Sequence, residues 1–223
     1  MPFIVIEGLD GSGKATNAAL LQEYLDKRGH TTKKITFPVY DSDSSALVRM
    51  YLAGSFGKKP GDVNAYAASA FYAVDRFASY RTDWKDALES GAWVIADRYT
   101  TSNAVHQASK LEGDARDSYL DWLYDFEFNK LGLPRPDAVI YLDVPPEISQ
   151  KLIEGRYQGD NSKKDIHEQD VEYLKHCRSA ALYAADRLGW HRIPLAKDGQ
   201  MDTRENNLQK IIEVLKGIYG DKL

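Results

Sequence analysis

Short runs of apolar, often β-branched residues recur along the chain, separated by longer stretches in which apolar positions return every three or four residues. The runs fall at Phe3–Glu7, Lys34–Phe37, Ala92–Asp97, Ala138–Asp143 and, more weakly, Trp190–Leu195. Runs of that length read as strands and the intervening periodicity as helix. Strands alternating with helices predict an α/β fold, a five-stranded parallel sheet with helices on both faces. The longest helical pattern runs from Val63 to Glu89, rich in Ala and aromatics, and stops before Gly91. Others span Asp114 to Leu131 and Glu168 to Leu188. A last helix opens on Asp202-x-x-Glu205, a capping-box pattern, and sets Leu208, Ile211, Ile212 and Leu215 on one face. Two stretches break the periodicity: Gly54–Asp62, a loop of Gly, Lys and Pro, and Gly155–Asp165, polar and glycine-flanked, which reads as a short lid. With no repeat or linker between them, residues 1–223 are expected to form a single domain.

The first strand runs directly into Gly8-Leu-Asp10-Gly11-Ser12-Gly13-Lys14-Ala15-Thr16, with a helical pattern behind. Gly-x4-Gly-Lys between strand and helix is a phosphate-binding P-loop. Its glycines let successive N–H groups face phosphate oxygens, the helix N-terminus adds positive potential, and Lys14 reaches the outer phosphates. A bound nucleoside triphosphate is expected on residues 8 and 10–16. Ligands of such sheets sit beyond the carboxyl ends of the strands, so Glu7, Phe37, Asp97 and Asp143 should line one cleft.

Composition narrows the partners. The net charge of −4 argues against a broad nucleic-acid surface, which needs a basic face. One cysteine, Cys177, leaves no internal disulfide and no multi-thiolate metal site. The scattered histidines His30, His167, His176 and His191 have no metal spacing. No apolar run approaches about 18 residues and no signal segment opens the chain, so a soluble cytoplasmic protein without a membrane partner is expected.

Two further groups carry chemistry. The strand Trp93–Asp97 ends in Asp97-Arg98-Tyr99. There Asp97 can hold Mg2+ through its waters and Arg98 can clamp an acceptor phosphate. In Tyr72-Ala-Val-Asp-Arg76 the aromatic and the guanidinium share one helical face, suited to stacking on a nucleobase and bonding its edge.

Taken with Phe37-Pro38, Ser102, Ala104, Gln107 and the Pro-rich Leu142-Asp-Val-Pro-Pro146, these motifs resemble the thymidylate kinase family in order along nearly the whole chain. The resemblance implies a P-loop kinase that transfers the γ-phosphoryl of ATP to dTMP with Mg2+ as cofactor, and a homodimer. Lys14 and the loop amides would hold the donor phosphates. Asp10 would sit near the acceptor sugar and phosphate, and Arg98 on that phosphate. Tyr72 would stack on thymine, Arg76 would bond its carbonyl edge, Ser102 and Gln107 would complete the pocket, and Phe37-Pro38 would flank it. Since Gly11-Ser12 carries no arginine, the lid would supply the catalytic cation, Arg156, assisted by Lys163 and Lys164.

The chain departs from the family at four places, one of them the lid, where Lys163-Lys164-Asp-Ile-His-Glu168 fits the family's arginine-rich pattern poorly. Ala15 stands where a metal-ligating Ser or Thr follows the lysine, leaving Thr16 and Asp97 as metal candidates. Val39 follows Pro38 where many relatives have an arginine, making Arg49 a substitute. Val105-His106 replaces the usual tyrosine before Gln107. Two other readings stay open: a deoxynucleoside kinase with Glu7 as general base, and a nucleotide-binding module that no longer catalyses.

Overall fold

A computed structural model describes residues 2–156, 171–197 and 199–223, the side chains of 154–156 and 171 excepted. Strand β1 (Phe3–Gly8) lies at the centre of the sheet. β2 (Thr32–Thr36) and β3 (Trp93–Asp97) lie to one side, β4 (Ala138–Asp143) and β5 (His191–Pro194) to the other. The order is β2-β3-β1-β4-β5, all parallel. The register sets Ile6 beside Asp97 and Gly8 beside Leu142, so the P-loop, Asp97 and the end of β4 emerge at one edge.

The helices are α1 (Lys14–Asp26), α2 (Ala46–Leu52), α3 (Ala65–Ser79), α4 (Lys85–Glu89) and α5 (Thr101–His106). They continue with α6 (Gly113–Tyr124), α7 (Pro146–Arg156), α8 (Val171–Leu188) and α9 (Arg204–Tyr219). Side chains alternate across β1, so the sheet builds two cores. Phe3 and Val5 join Val94, Ala96 and Tyr141 under Trp84, Tyr99, Tyr119 and Leu123. Ile4 and Ile6 join Ile95, Ile140 and Leu142 against Leu21 and Leu25 of α1 and Ile211 and Leu215 of α9. Each such side chain, fully buried, contributes about 1.5–3 kcal/mol. Burial on both faces explains why the central strands read as unbroken apolar runs.

The expected fold is observed, with differences of detail. The Val63–Glu89 pattern is α3 and α4 joined through a π-helical stretch, Tyr80–Trp84. The Asp114–Leu131 pattern likewise ends in a π-helical stretch, Asp125–Lys130. Stretches of five and six residues are too short to show a period of their own, so sequence periodicity does not reveal them. Asp202 is not the cap of α9: Thr203 is, its hydroxyl accepting from the Asn206 amide. Asp202 instead accepts from the Thr203 amide, Asn206 and Lys210. A two-residue hairpin, β6 (Ala196–Lys197) with β7 (Gln200–Met201), is additional. Of the predicted lid, residues 155 and 156 end α7, while most of it, Lys163 and Lys164 included, lies outside the described residues, as does the Arg156 side chain.

Candidate active site

At the carboxyl edge of the sheet a cavity of about 760 Å³ is lined by the P-loop, the segment after β2, one face of α3, the end of β3 and α5. Its floor follows from backbone limits. Gly8 leaves β1 where a Cβ would lie 2.5 Å from Ser12 Oγ. Gly11, at φ 76°, would put a Cβ 2.5 Å from the carbonyl oxygen of Ser149 in α7. Backbone rests on backbone there, which accounts for the loop having no arginine at this position. Lys14, at the start of α1, bonds the Leu9 carbonyl at 2.9 Å and lies 3.9 Å from Asp10. Burial, reinforced by Arg98, lowers its pKa to about 8, against the opposing pull of Asp10, Asp97 and Glu7. Ala15 and Thr16 both line the cavity, Ala15 more exposed.

Across the cavity stands Arg98, with backbone φ 73°, a conformation uncommon outside glycine. Its Nη2 pairs with Asp10, and its Nη1 reaches Ser102 Oγ at 3.2 Å, His106 Nε2 at 3.4 Å and Glu7 Oε1 at 3.6 Å. Burial works against its charge, but Asp10, Glu7 and Asp97 outweigh it and hold the guanidinium ionised. Glu7 itself is fully buried, taking Thr101 Oγ1 at 2.6 Å and Ser102 Oγ at 2.8 Å. A half-turn of α5 thus braces the arginine through one carboxylate.

The far wall is the α3 face predicted for base recognition. Tyr72 lines the cavity edge-on to Tyr51, ring centroids 6.5 Å apart. Arg76 lines it too, with 1% exposure, and is pinned by Glu127 from the π-helical stretch after α6. Nε bonds one carboxylate oxygen at 2.7 Å and Nη2 the other, so Nη1 stands outside the pair. Thr100 Oγ1 at 2.6 Å and Asn103 Nδ2 at 3.4 Å complete the shell of Glu127. Gln107 also lines the cavity, and both its amide atoms are buried without a hydrogen-bond partner. A buried amide left so is costly unless a ligand meets it.

Phe37 and Pro38, joined by a cis peptide, and the exposed Tyr40 close the side nearest β2. Arg49 reaches this wall from α2, its Nη1 already on the Tyr40 and Ser42 carbonyls and on Ser45 Oγ. Asp75 ties the same loop to α3, accepting from the Val39 amide at 2.9 Å and Ser44 Oγ at 2.7 Å.

The cavity therefore gathers the predicted Asp10, Lys14, Thr16, Phe37, Pro38, Arg49, Tyr72, Arg76, Asp97, Arg98, Ser102 and Gln107. Ser102 differs in company from its expected place: its hydroxyl serves Glu7 and Arg98, whereas Asn103 sits nearer Arg76 through Glu127. Sequence reasoning missed Glu127, Asn103 and Asp75. No local pattern around Glu127 in the sequence marks it for burial.

A family model described as thymidylate kinase matches residues 6–202. The chain belongs to the thymidylate kinase family. This family member is 33% identical over 184 residues to the thymidylate kinase of Mycobacterium tuberculosis, covering 82% of this chain and 84% of that one. It is 33% identical over 219 residues to a probable thymidylate kinase of Thermococcus gammatolerans, covering 97% and 99%. A solved thymidylate kinase from Candida albicans superposes with a TM-score of 0.70 at 21% identity, over 96% of this chain and 90% of that one, which establishes the shared fold. The thymidylate kinase family match spans the P-loop, the Arg98 brace and the Arg76 wall together.

Proposed function

We propose that the chain is an ATP-dependent dTMP kinase, converting ATP and dTMP to ADP and dTDP. The observation that carries this reading is the meeting in one cavity of a P-loop lysine, a braced arginine and a base-sized wall of Tyr72, Arg76 and Gln107. Phosphoryl transfer asks mainly for alignment and charge. The loop amides and Lys14 would hold the donor phosphates and Arg98 the acceptor phosphate, with Asp10 positioned between the two. An acceptor phosphate oxygen forms the new bond to Pγ as the bond from Pγ to the β-phosphate bridging oxygen breaks, and ADP leaves. The acceptor is already anionic, so no side chain need remove a proton, and Glu7, spent on Thr101, Ser102 and Arg98, suits a brace better than a base.

Mg2+ fits the donor set. Among the described residues no three His, Cys, Asp or Glu cluster as a self-sufficient metal site. The cavity instead offers Thr16 and Asp97, which suits an ion that keeps waters and takes phosphate oxygens. When bound, it would neutralise charge on the donor phosphates. Arg156 would supply the remaining cation from the lid.

The outward face of α3 exposes Tyr66, Val74 and Phe77 at 40%, 53% and 41%, and we propose a second copy of the chain as its cover. Light scattering giving monomer mass would reject that. Among the described residues no helix is long and apolar enough to cross a membrane. We propose the cytoplasm as the working compartment, in keeping with a lone, buried Cys177 thiol.

The test is ADP release with Mg2+ and ATP, comparing dTMP, dUMP, thymidine and the other deoxynucleoside monophosphates. Turnover selective for dTMP is expected. Turnover with thymidine would reassign the site to a nucleoside kinase, and none with any acceptor would leave a nucleotide-binding module.

A further inference from the structure

His106, the last residue of α5, stands where the Arg98 brace meets α8. Its Nε2 is 3.4 Å from Arg98 Nη1, and its Nδ1 is 3.6 Å from Cys177 Sγ. A guanidinium has donors only, so Nε2 must be the accepting nitrogen. A neutral imidazole with an accepting Nε2 carries its proton on Nδ1, facing the sulfur. Beyond it, Cys177 Sγ lies 3.5 Å from Ser109 Oγ, and Ser109 Oγ donates to the His106 carbonyl at 2.8 Å. The Tyr173 hydroxyl donates to the same carbonyl at 2.7 Å. Every group in this ring then has a direction: Arg98 to His106, His106 to Cys177, Cys177 to Ser109, and Ser109 back to the His106 backbone. The reverse order fails, because it sets an Nε2–H against an Arg98 N–H. Burial pushes the Cys177 thiol up to about 12, so it keeps the proton it donates.

We propose that His106 is a positioning residue for the acceptor phosphate: as a neutral Nδ1–H imidazole it accepts from Arg98 and fixes the guanidinium plane. Protonation of the ring turns the acceptor into a donor and breaks that hold. The inference rests on the kinase reading, since it gives Arg98 a phosphate to receive. Among the described residues, the ionisable groups around the ring come from every packed element, Lys14 of α1 and Tyr40 after β2 acting on Arg98 among them. Glu7 comes from β1 and Asp10 from the P-loop, both on Arg98. Asp97 ends β3, acting on Arg98. Cys177 and Tyr173 come from α8, and Lys110 from the turn after α5, acting on Cys177. The carboxylates are turned to Arg98, so they hold the guanidinium in place whether or not the ring is charged; what protonation removes is the one neutral acceptor on Nη1 besides Ser102.

Two measurements test this. In 15N-labelled protein without substrate, long-range nitrogen–proton NMR of the histidine rings, with His106→Gln identifying the His106 signals, is expected to show the Nδ1–H tautomer at neutral pH. An Nε2–H tautomer would overturn the proposal. Kinetically, His106→Val is expected to raise the KM for dTMP about tenfold, the lower end for loss of a hydrogen bond to a charged group, with the KM for ATP within about twofold. His106→Gln, whose carbonyl accepts without titrating, should restore most of the dTMP affinity. An unchanged dTMP KM in His106→Val, or no recovery of dTMP affinity in His106→Gln, would overturn the positioning role. Wild-type protein inactive on dTMP would sink the kinase reading instead, while the ring spectrum would still decide the tautomer.

Discussion

The Arg76–Glu127 pair offers the sharpest test of the base-recognition role proposed for Arg76. Both side chains are essentially inaccessible, at 1% and 0% exposure, and two nitrogens of one meet two oxygens of the other. Glu127→Gln keeps the shape but removes the charge that offsets burial of Arg76. Removing one partner of such a pair costs about 3–5 kcal/mol. For a chain of this length each kcal/mol moves the melting temperature by about 2–4 °C, so a fall of about 6–20 °C is expected. Urea unfolding gives the free energy directly, and steady-state kinetics should give a KM for dTMP raised about tenfold or more with ATP nearly unaffected. Arg76→Met with Glu127→Met separates the two roles. Replacing both charges by apolar groups should recover much of the stability, because no charge is left buried, yet leave dTMP binding impaired. A Glu127→Gln protein within about 0.5 kcal/mol of wild type, the range of an ordinary surface change, and with normal dTMP kinetics would refute the reasoning.

Three other outcomes are expected. Lys14, with its pKa lowered to about 8, loses its charge in the free protein as pH rises through that value, so ATP affinity should weaken above it. Nucleotide phosphates favour the charged form, so calorimetry in buffers of different ionisation enthalpy should detect proton uptake on binding near pH 8 to 9, and none would contradict the lowered value. Gln107→Leu removes two buried amide atoms without partners, so it should stabilise the free protein by about 1–3 kcal/mol while raising the KM for dTMP; a destabilised variant with normal kinetics would return Gln107 to the core. Gly11→Ala, forced into the left-handed region against Ser149, should lose about 1–3 kcal/mol in urea unfolding and bind ATP more weakly, and wild-type behaviour would contradict the close packing.

Strand positions were legible because both faces of β1, β3 and β4 are covered, which makes their apolar runs continuous. The edge strands were harder, since β2 buries only Ile35 fully and β5 only Ile193. The two-residue strands of the hairpin carry no periodicity to read. In the site, Lys14, Asp97, Arg98, Tyr72, Arg76 and Gln107 were readable because each belongs to a local motif. Glu127 was not, because its partner is 51 residues away and the two meet only when α3 and the stretch after α6 pack together. Ser102 lines the cavity as expected from its motif, but its bond to Glu7, 95 residues away, leaves no local trace in the sequence.

The contact of Gly11 with Ser149 also bears on how such a chain can change over time. Any side chain acquired at position 11 puts its first atom 2.5 Å from the Ser149 carbonyl oxygen of α7. That helix would have to shift first, and α7 leads directly into the segment expected to furnish the cation from the other side. The two locations are thus structurally coupled: a variant gaining a side chain in the loop must also adjust α7. An arginine at position 11 would therefore carry the cost of moving α7, independently of any preference in the chemistry.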